Sequence, residues 1–175
     1  MTGYRFATAF VVGLALAATG VSPSGRGRTL AAQASDTCAL LTVDEIESAV
    51  ANSDVADGVA KAFPDLGYAM CQYTWGVATG RFRLDVTVSE PSRMFPGMSP
   101  DQVKQQLVQS VKTGTDDALL SDIGEAAVFK PASPLFATGT SLVKGRVLQV
   151  HLEGAFAGEM KDQIVELLKS AASRM

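Results

Sequence analysis

His151 is the chain's one histidine, which removes a histidine-rich metal site and any two-histidine mechanism. It stands in the stretch GRVLQVHLE, Gly145 to Glu153, on the side opposite Leu148, Val150 and Leu152. There it is read as a surface or sheet-packing histidine ahead of a ligand contact or a catalytic base. A hydrolase would need a serine or carboxylate brought to His151 from elsewhere, yet Gly-x-Ser-x-Gly is absent and no serine sits at an evident strained elbow. The acidic group Asp116, Asp117, Asp122 and Glu125 lacks the spacing of the twelve-residue calcium loop, with no glycine at its middle and no glutamate at its end. It is read as a solvated linker, and Asp54 and Asp57 as parts of a turn. Gly76, Gly80, Gly154 and Gly158 form no phosphate-binding signature. The sequence therefore assigns no catalytic residue, no cofactor and no metal ligand.

Two other sets of residues carry chemistry of a different kind. Cys38 and Cys71 are the only cysteines, too far apart for a Cys-x-x-Cys redox pair and too few for a metal site. An even count in an oxidising compartment points to a disulfide, the rival being two unconnected buried thiols. Closing that loop would contribute about 3–4 kcal/mol on the chain-entropy view. The second set is apolar. Met94, Phe95 and Met98 follow one alternating strand, Phe156 follows another, and each precedes a helix. If both loops lie at the same end of the sheet, they line a small cleft or form a partner-binding patch; the competing reading has Met98 and Phe156 capping the core beneath the helices. Tyr73 and Trp75 share a side with Cys71 and are read as core.

These residues need elements to hold them. In GRFRLDVTVSE, Gly80 to Glu90, Phe82, Leu84, Val86 and Val88 point one way and Arg81, Arg83, Asp85, Thr87 and Ser89 the other, the period of a half-buried strand. GRVLQVHLE repeats the pattern more weakly, and each copy is followed by a helix, one beginning near Asp101 and one near Asp162. This suggests a two-fold internal strand-to-helix repeat. Thr42 three residues before Glu45 is a capping box for a helix with Val43, Ile46, Ala49 and Val50 on one face, and Leu41 before the cap is placed to close over Ile46. Val59 to Phe63 is read as a helical turn ended by Pro64 and Gly67, and Ala69 to Trp75 as a strand. Pro91 to Pro100 is read as a loop. The helix after it carries an apolar stripe of Val103, Leu107, Val108 and Val111 and stops at Gly114. Leu119 and Leu120 fall in a linker. Ala126 to Phe129 reads as a strand ended by Pro131 and Pro134, Leu135 to Thr138 as a short strand or a covering loop. Ser141 to Leu152 reads as a hairpin around Lys144-Gly145, and Met160, Ile164, Leu167, Leu168 and Ala171 as the stripe of a last helix. The expected fold is α+β: four to six mainly antiparallel strands with two or three helices packed on one face.

At the N-terminus Arg5 precedes an apolar run from Phe6 to Ala18, and the chain then turns polar. This is the order of a secretory signal peptide, and the run is short for a membrane span. Ala32-Gln33-Ala34 offers a cleavage site and Ala15-Leu16-Ala17 a competing one. Cleavage after Ala34 removes residues 1–34 and leaves 35–175 as a single exported domain with no stable transmembrane association. It also removes Arg5, Arg26 and Arg28 from the 15 basic residues, so that 12 face 18 acidic ones, a net charge near −6. That balance disfavours nucleic acid and anionic membranes as partners.

The segments TCALLTVDEIESAV, MCQYTW, IGEAAVF and KGRVLQVHLE, with the alternating strand between them, together resemble the small secreted or lipoprotein domains of unknown function common in actinobacteria. The matching residues are Cys38, Leu40 to Thr42, Cys71, Trp75, Gly124 and Lys144-Gly145. The lipid-modified cysteine of many such domains is not matched here. The resemblance implies an extracytoplasmic binding or accessory role rather than a reaction. The expectation is a secreted or periplasmic, non-enzymatic domain that binds an envelope protein or a small apolar ligand, with Met94, Phe95, Met98 and Phe156 as the binding surface. A hydrolase using His151 and a structural protein of the cell envelope are the alternatives.

Overall fold

A computed structural model describes residues 36–78 and 80–175. The predicted signal peptide, residues 1–34, lies outside the described residues. In chain order the elements are helix α1 (Val43–Val50), strands β1 (Val59–Phe63), β2 (Tyr68–Val77) and β3 (Gly80–Ser89), helices α2 (Pro91–Met94) and α3 (Pro100–Gln109), strands β4 (Ala118–Leu120), β5 (Ala126–Ser133), β6 (Phe136–Val143) and β7 (Arg146–Glu153), a 3-10 turn (Ala157–Glu159) and helix α4 (Lys161–Ser173). All seven strands form one antiparallel sheet in the order β1-β2-β3-β7-β6-β5-β4. Two meanders, β1 to β3 and β4 to β7, thus meet where β3 pairs with β7 and make a continuous sheet.

The alternation in the strands decides which face is which. Cys71, Tyr73, Trp75, Phe82, Leu84, Val86, Leu148, Val150 and Leu152 bury one face, the inner face, together with Ile46 of α1 and Ile164, Leu167, Leu168 and Ala171 of α4. Helix α4 reaches the sheet at Gly139, where a Cβ would lie 3.0 Å from Ile164 Cγ2 and 3.1 Å from Leu168 Cδ2. The lead-in to α1 is tied down three times over. Cys38 and Cys71 form a disulfide with Cα atoms 4.9 Å apart, the Tyr73 hydroxyl donates to the carbonyls of Cys38 at 3.1 Å and Leu41 at 2.7 Å, and Arg174 Nη1 donates to Leu40 O at 2.7 Å. The capping box of Thr42 and Glu45 is present.

Several expectations need correction. Helices do not pack on one face: α3 lies on the opposite, outer face, where Val103 and Leu107 cover Ala126, Val128, Leu142 and Val147. The run Ala126 to Phe129 is apolar on both sides because both faces are covered there, as in any doubly buried strand. Since α3 and α4 follow paired strands but go to opposite faces, the strand-to-helix repeat does not extend to the helices. Val59 to Phe63 is an edge strand rather than a helical turn. The turn through Pro64 and Gly67 folds these residues back onto β2, whose edge pairs their backbone along the whole stretch, Val59 opposite Gln72 and Phe63 opposite Tyr68. Helix α3 ends at Gln109, leaving Val108 exposed and Val111 beyond it. Strand β5 continues through Pro131 because β4 pairs only with Ala127 to Phe129, so no ladder bond is asked of the proline on that side; the register shifts just beyond. Leu119 and Leu120 belong to β4, not to a linker.

Candidate functional site

Among the described residues, α3 covers one part of the outer face of the sheet only. On the other part β2, β3 and β7 present their alternate side chains to an open groove of about 540 Å³ lined by Leu66, Tyr68, Met70, Asp85, Thr87, Ser89, Arg93, Met94, Gln149 and His151. Register places these residues. Met70 stands opposite Thr87 and Tyr68 opposite Ser89 across the β2–β3 pair, while Thr87 faces Gln149 and Asp85 faces His151 across β3–β7. Leu66, in the turn between β1 and β2, is exposed. On the other wall Arg93 and Met94 come from α2, whose first residue is Pro91. The Arg93 side chain lies over Gly67, where a Cβ would have to displace the guanidinium and the backbone takes φ 66°.

The polar floor is largely self-satisfied. Asp85, buried despite its charge, accepts from Gln72 Nε2 at 2.8 Å and from Arg83 Nε at 3.1 Å. Arg83 also pairs with Glu153 at 2.7 Å, and Lys61 donates to Gln72 at 2.7 Å. His151 Nδ1 is 2.8 Å from the Thr138 hydroxyl, and its ring stacks on Phe136 with centroids 6.1 Å apart. Gln149 Nε2 donates to Thr140 at 3.2 Å. What remains for a visitor is the apolar surface of Tyr68, Met70, Met94 and Leu66, edged by the Thr87 and Ser89 hydroxyls and the Arg93 guanidinium.

The residues singled out from sequence do not gather at one place. Met94 lines the groove. Phe95 is half-buried against the cluster under α3, and Met98 is exposed in the loop before it. Phe156 is 58% exposed in the left-handed region at φ 65°. Because β3 and β7 are antiparallel, with Ser89 opposite Val147 and Arg83 opposite Glu153, the loops that follow them leave from opposite ends of the sheet. Phe95 and Phe156 therefore share no cleft. Neither Met98 nor Phe156 caps the core. Cys38 and Cys71 are joined, and Tyr73 and Trp75 are core residues, Trp75 stacking on Phe82 with centroids 5.3 Å apart. In the acidic stretch Asp117 accepts from the Lys112 backbone and Glu125 from that of Gly145, both at 3.1 Å, so these carboxylates hold turns.

Sequence reasoning missed Leu66, Tyr68, Met70, Thr87, Ser89, Arg93 and Gln149. The usable signal was Met70, an apolar residue on the side of its strand that otherwise carries Gln72 and Thr74. The chain matches no known protein family, no curated protein and no solved structure. Among the described residues no helix is long and apolar enough to cross a membrane.

Proposed function

We propose that this chain is an exported, non-enzymatic binding domain that takes a small, largely apolar ligand in the groove over β2, β3 and β7. The observation that carries the reading is the groove itself: an uncovered stretch of sheet where Tyr68, Met70 and Met94 lie next to charges already paired with one another. A concave apolar surface with a few fixed polar groups is the usual form of a small-molecule site. The Cys38–Cys71 disulfide supports export, since such bonds persist in oxidising compartments. Hydrolysis at His151 has less support. The hydroxyl bonded to its ring, that of Thr138, sits inside a strand paired on both sides, and both oxygens of Asp85 are engaged.

The test follows methyl resonances of the folded chain while 1-anilinonaphthalene-8-sulfonate is titrated as an apolar probe. Saturable shifts at Met70 and Met94, and their loss in a folded Met70→Trp variant that fills the groove, are the expected result. Shifts spread over the surface, or binding that survives Met70→Trp, would leave the groove without a ligand role and favour a structural place in the envelope.

A further inference from the structure

A second cavity lies on the inner face, beyond the edge of the hydrophobic core. It measures about 360 Å³ and is bounded by the lead-in turn at Asp36 and Leu40, by Val88, by the β6–β7 hairpin at Lys144 and Arg146, and by Arg174 after α4. We propose that this cavity binds a small oxyanion of the phosphate type through Arg146 and Lys144.

Arg146 supplies the main observation. Its Nε is the buried side-chain nitrogen or oxygen that has no hydrogen-bond partner among the described residues, and its guanidinium enters no ion pair there. Most buried polar groups in folded proteins are paired, and an orphan calls for an explanation of its own, a bound ion among them. A guanidinium presents its N–H groups as a flat fork that fits the oxygens of phosphate or carboxylate, and such charge-assisted bonds are the strong ones. The Nε is sealed from solvent as the side chain now stands, so a small rotation about its terminal torsions would accompany binding.

The surroundings fit an anion better than water alone. Lys144 lies beside Arg146 on the same hairpin, in the left-handed region at φ 47°; it is exposed and makes no ion pair among the described residues. The turn that carries it is fixed from below, since Glu125 accepts from the Gly145 backbone at 3.1 Å. Arg174 forms the far wall, but its guanidinium is already held by Glu45 at 2.6 and 2.7 Å and by Leu40 O. It shapes the site without being free to close on the ligand. Asp36 brings a carboxylate to the rim, exposed and in no ion pair with Lys144 or Arg146. Lys144 and Arg146 are thus the two cations of the lining that no carboxylate holds among the described residues, with Asp36 facing them at the rim and Met175 completing the wall. The site opens on the face opposite the groove, so it stands or falls independently of the proposed apolar ligand.

The experiment titrates sodium phosphate into the full chain at ionic strength held constant with sodium chloride, reading the Arg146 Nε–Hε resonance and the melting temperature. Saturable change in both is the expected result, with the melting-temperature response at least tenfold weaker in Arg146→Gln and both responses at least tenfold weaker in Lys144→Gln. Lys144 is an exposed turn residue, so its variant keeps the test valid if Arg146→Gln does not fold. A second arm floats the protein with phosphatidylcholine vesicles carrying phosphatidic acid. Flotation that both variants lose, beside weak binding of free phosphate, would place the oxyanion on a lipid headgroup, whereas response to free phosphate alone would make it a soluble ligand. A response no larger than that to chloride in both arms, or one that both variants retain in full, overturns the proposal.

Discussion

Tyr73 shows how a single side chain can hold two layers together. It is 2% exposed, its ring lies in the inner core, and its hydroxyl is shared between two carbonyls of the lead-in turn, those of Leu41 at 2.7 Å and Cys38 at 3.1 Å. Burial, with a smaller contribution from the Glu45 charge, pushes the phenol up to about 12, so it remains a donor throughout the ordinary pH range. Tyr73→Phe keeps the ring and removes the one proton these carbonyls share, the Leu41 bond being the shorter; it should lower stability by about 1–3 kcal/mol, read from urea unfolding. Glu45 makes the converse case. The hydrogen bond from Arg174, helped by the Thr42 backbone and hydroxyl against the cost of burial, holds its carboxyl down to about 2 from the ordinary 4.5. A depressed carboxylate stabilises the fold fully above its unfolded value and loses that contribution as pH falls through the folded one. The melting temperature should therefore decline between about pH 4.5 and about pH 2, and Arg174→Met should flatten that part of the profile. An unchanged profile in the variant would mean that the pair contributes nothing.

At the scale of elements, the approach of α4 to the sheet depends on one missing side chain. Gly139 faces Ile164 and Leu168, and a Cβ there would sit closer to both than packed carbons normally come. Gly139→Ala should cost about 1–3 kcal/mol through overpacking, measured as a lower midpoint of chemical unfolding; a gain in stability would show that α4 has slack above the sheet. Long alternations were readable from sequence because a strand buried on one face repeats every two residues, and so β3, β7 and the β6–β7 hairpin were located. So was α1, because Thr42 and Glu45 write its start into side-chain chemistry. What failed was short or dependent on distant partners. Val59 to Phe63 became a strand only because β2 offers an edge, and Ala118 to Leu120 only because β5 does. The groove was half legible: Met94 was singled out for its apolar loop, but Met70 and Thr87 become neighbours only through strand pairing. The side on which α3 packs follows from Val128 and Leu142 both needing cover, residues that local periodicity does not connect.

For the molecule as a whole, the central question is whether two meanders make two folding units or one. Pairing of β3 with β7 joins residues 80–89 to residues 146–153, and that seam carries Leu84 against Leu152 and Val86 against Val150, all buried. The first meander alone would leave β3 with an open edge and its inner side chains without α4. The second would lose the strand against which β7 buries Leu148 and Val150. Helix α1 also packs beside α4 through the same core, and Arg174 ties the end of the chain back to Leu40 and Glu45, so the contacts cross the midpoint at both the sheet and the helix layer. Non-local pairing of this kind has to pay loop closure before it returns burial, which favours all-or-none assembly. Residues 36–175 should thus unfold in one calorimetric transition whose van't Hoff and calorimetric enthalpies agree, and a fragment of residues 36–114 should show no cooperative transition. A cooperative melt in that fragment would mean that the first meander is an independent unit and that the β3–β7 seam is a docking surface between two, not the middle of one.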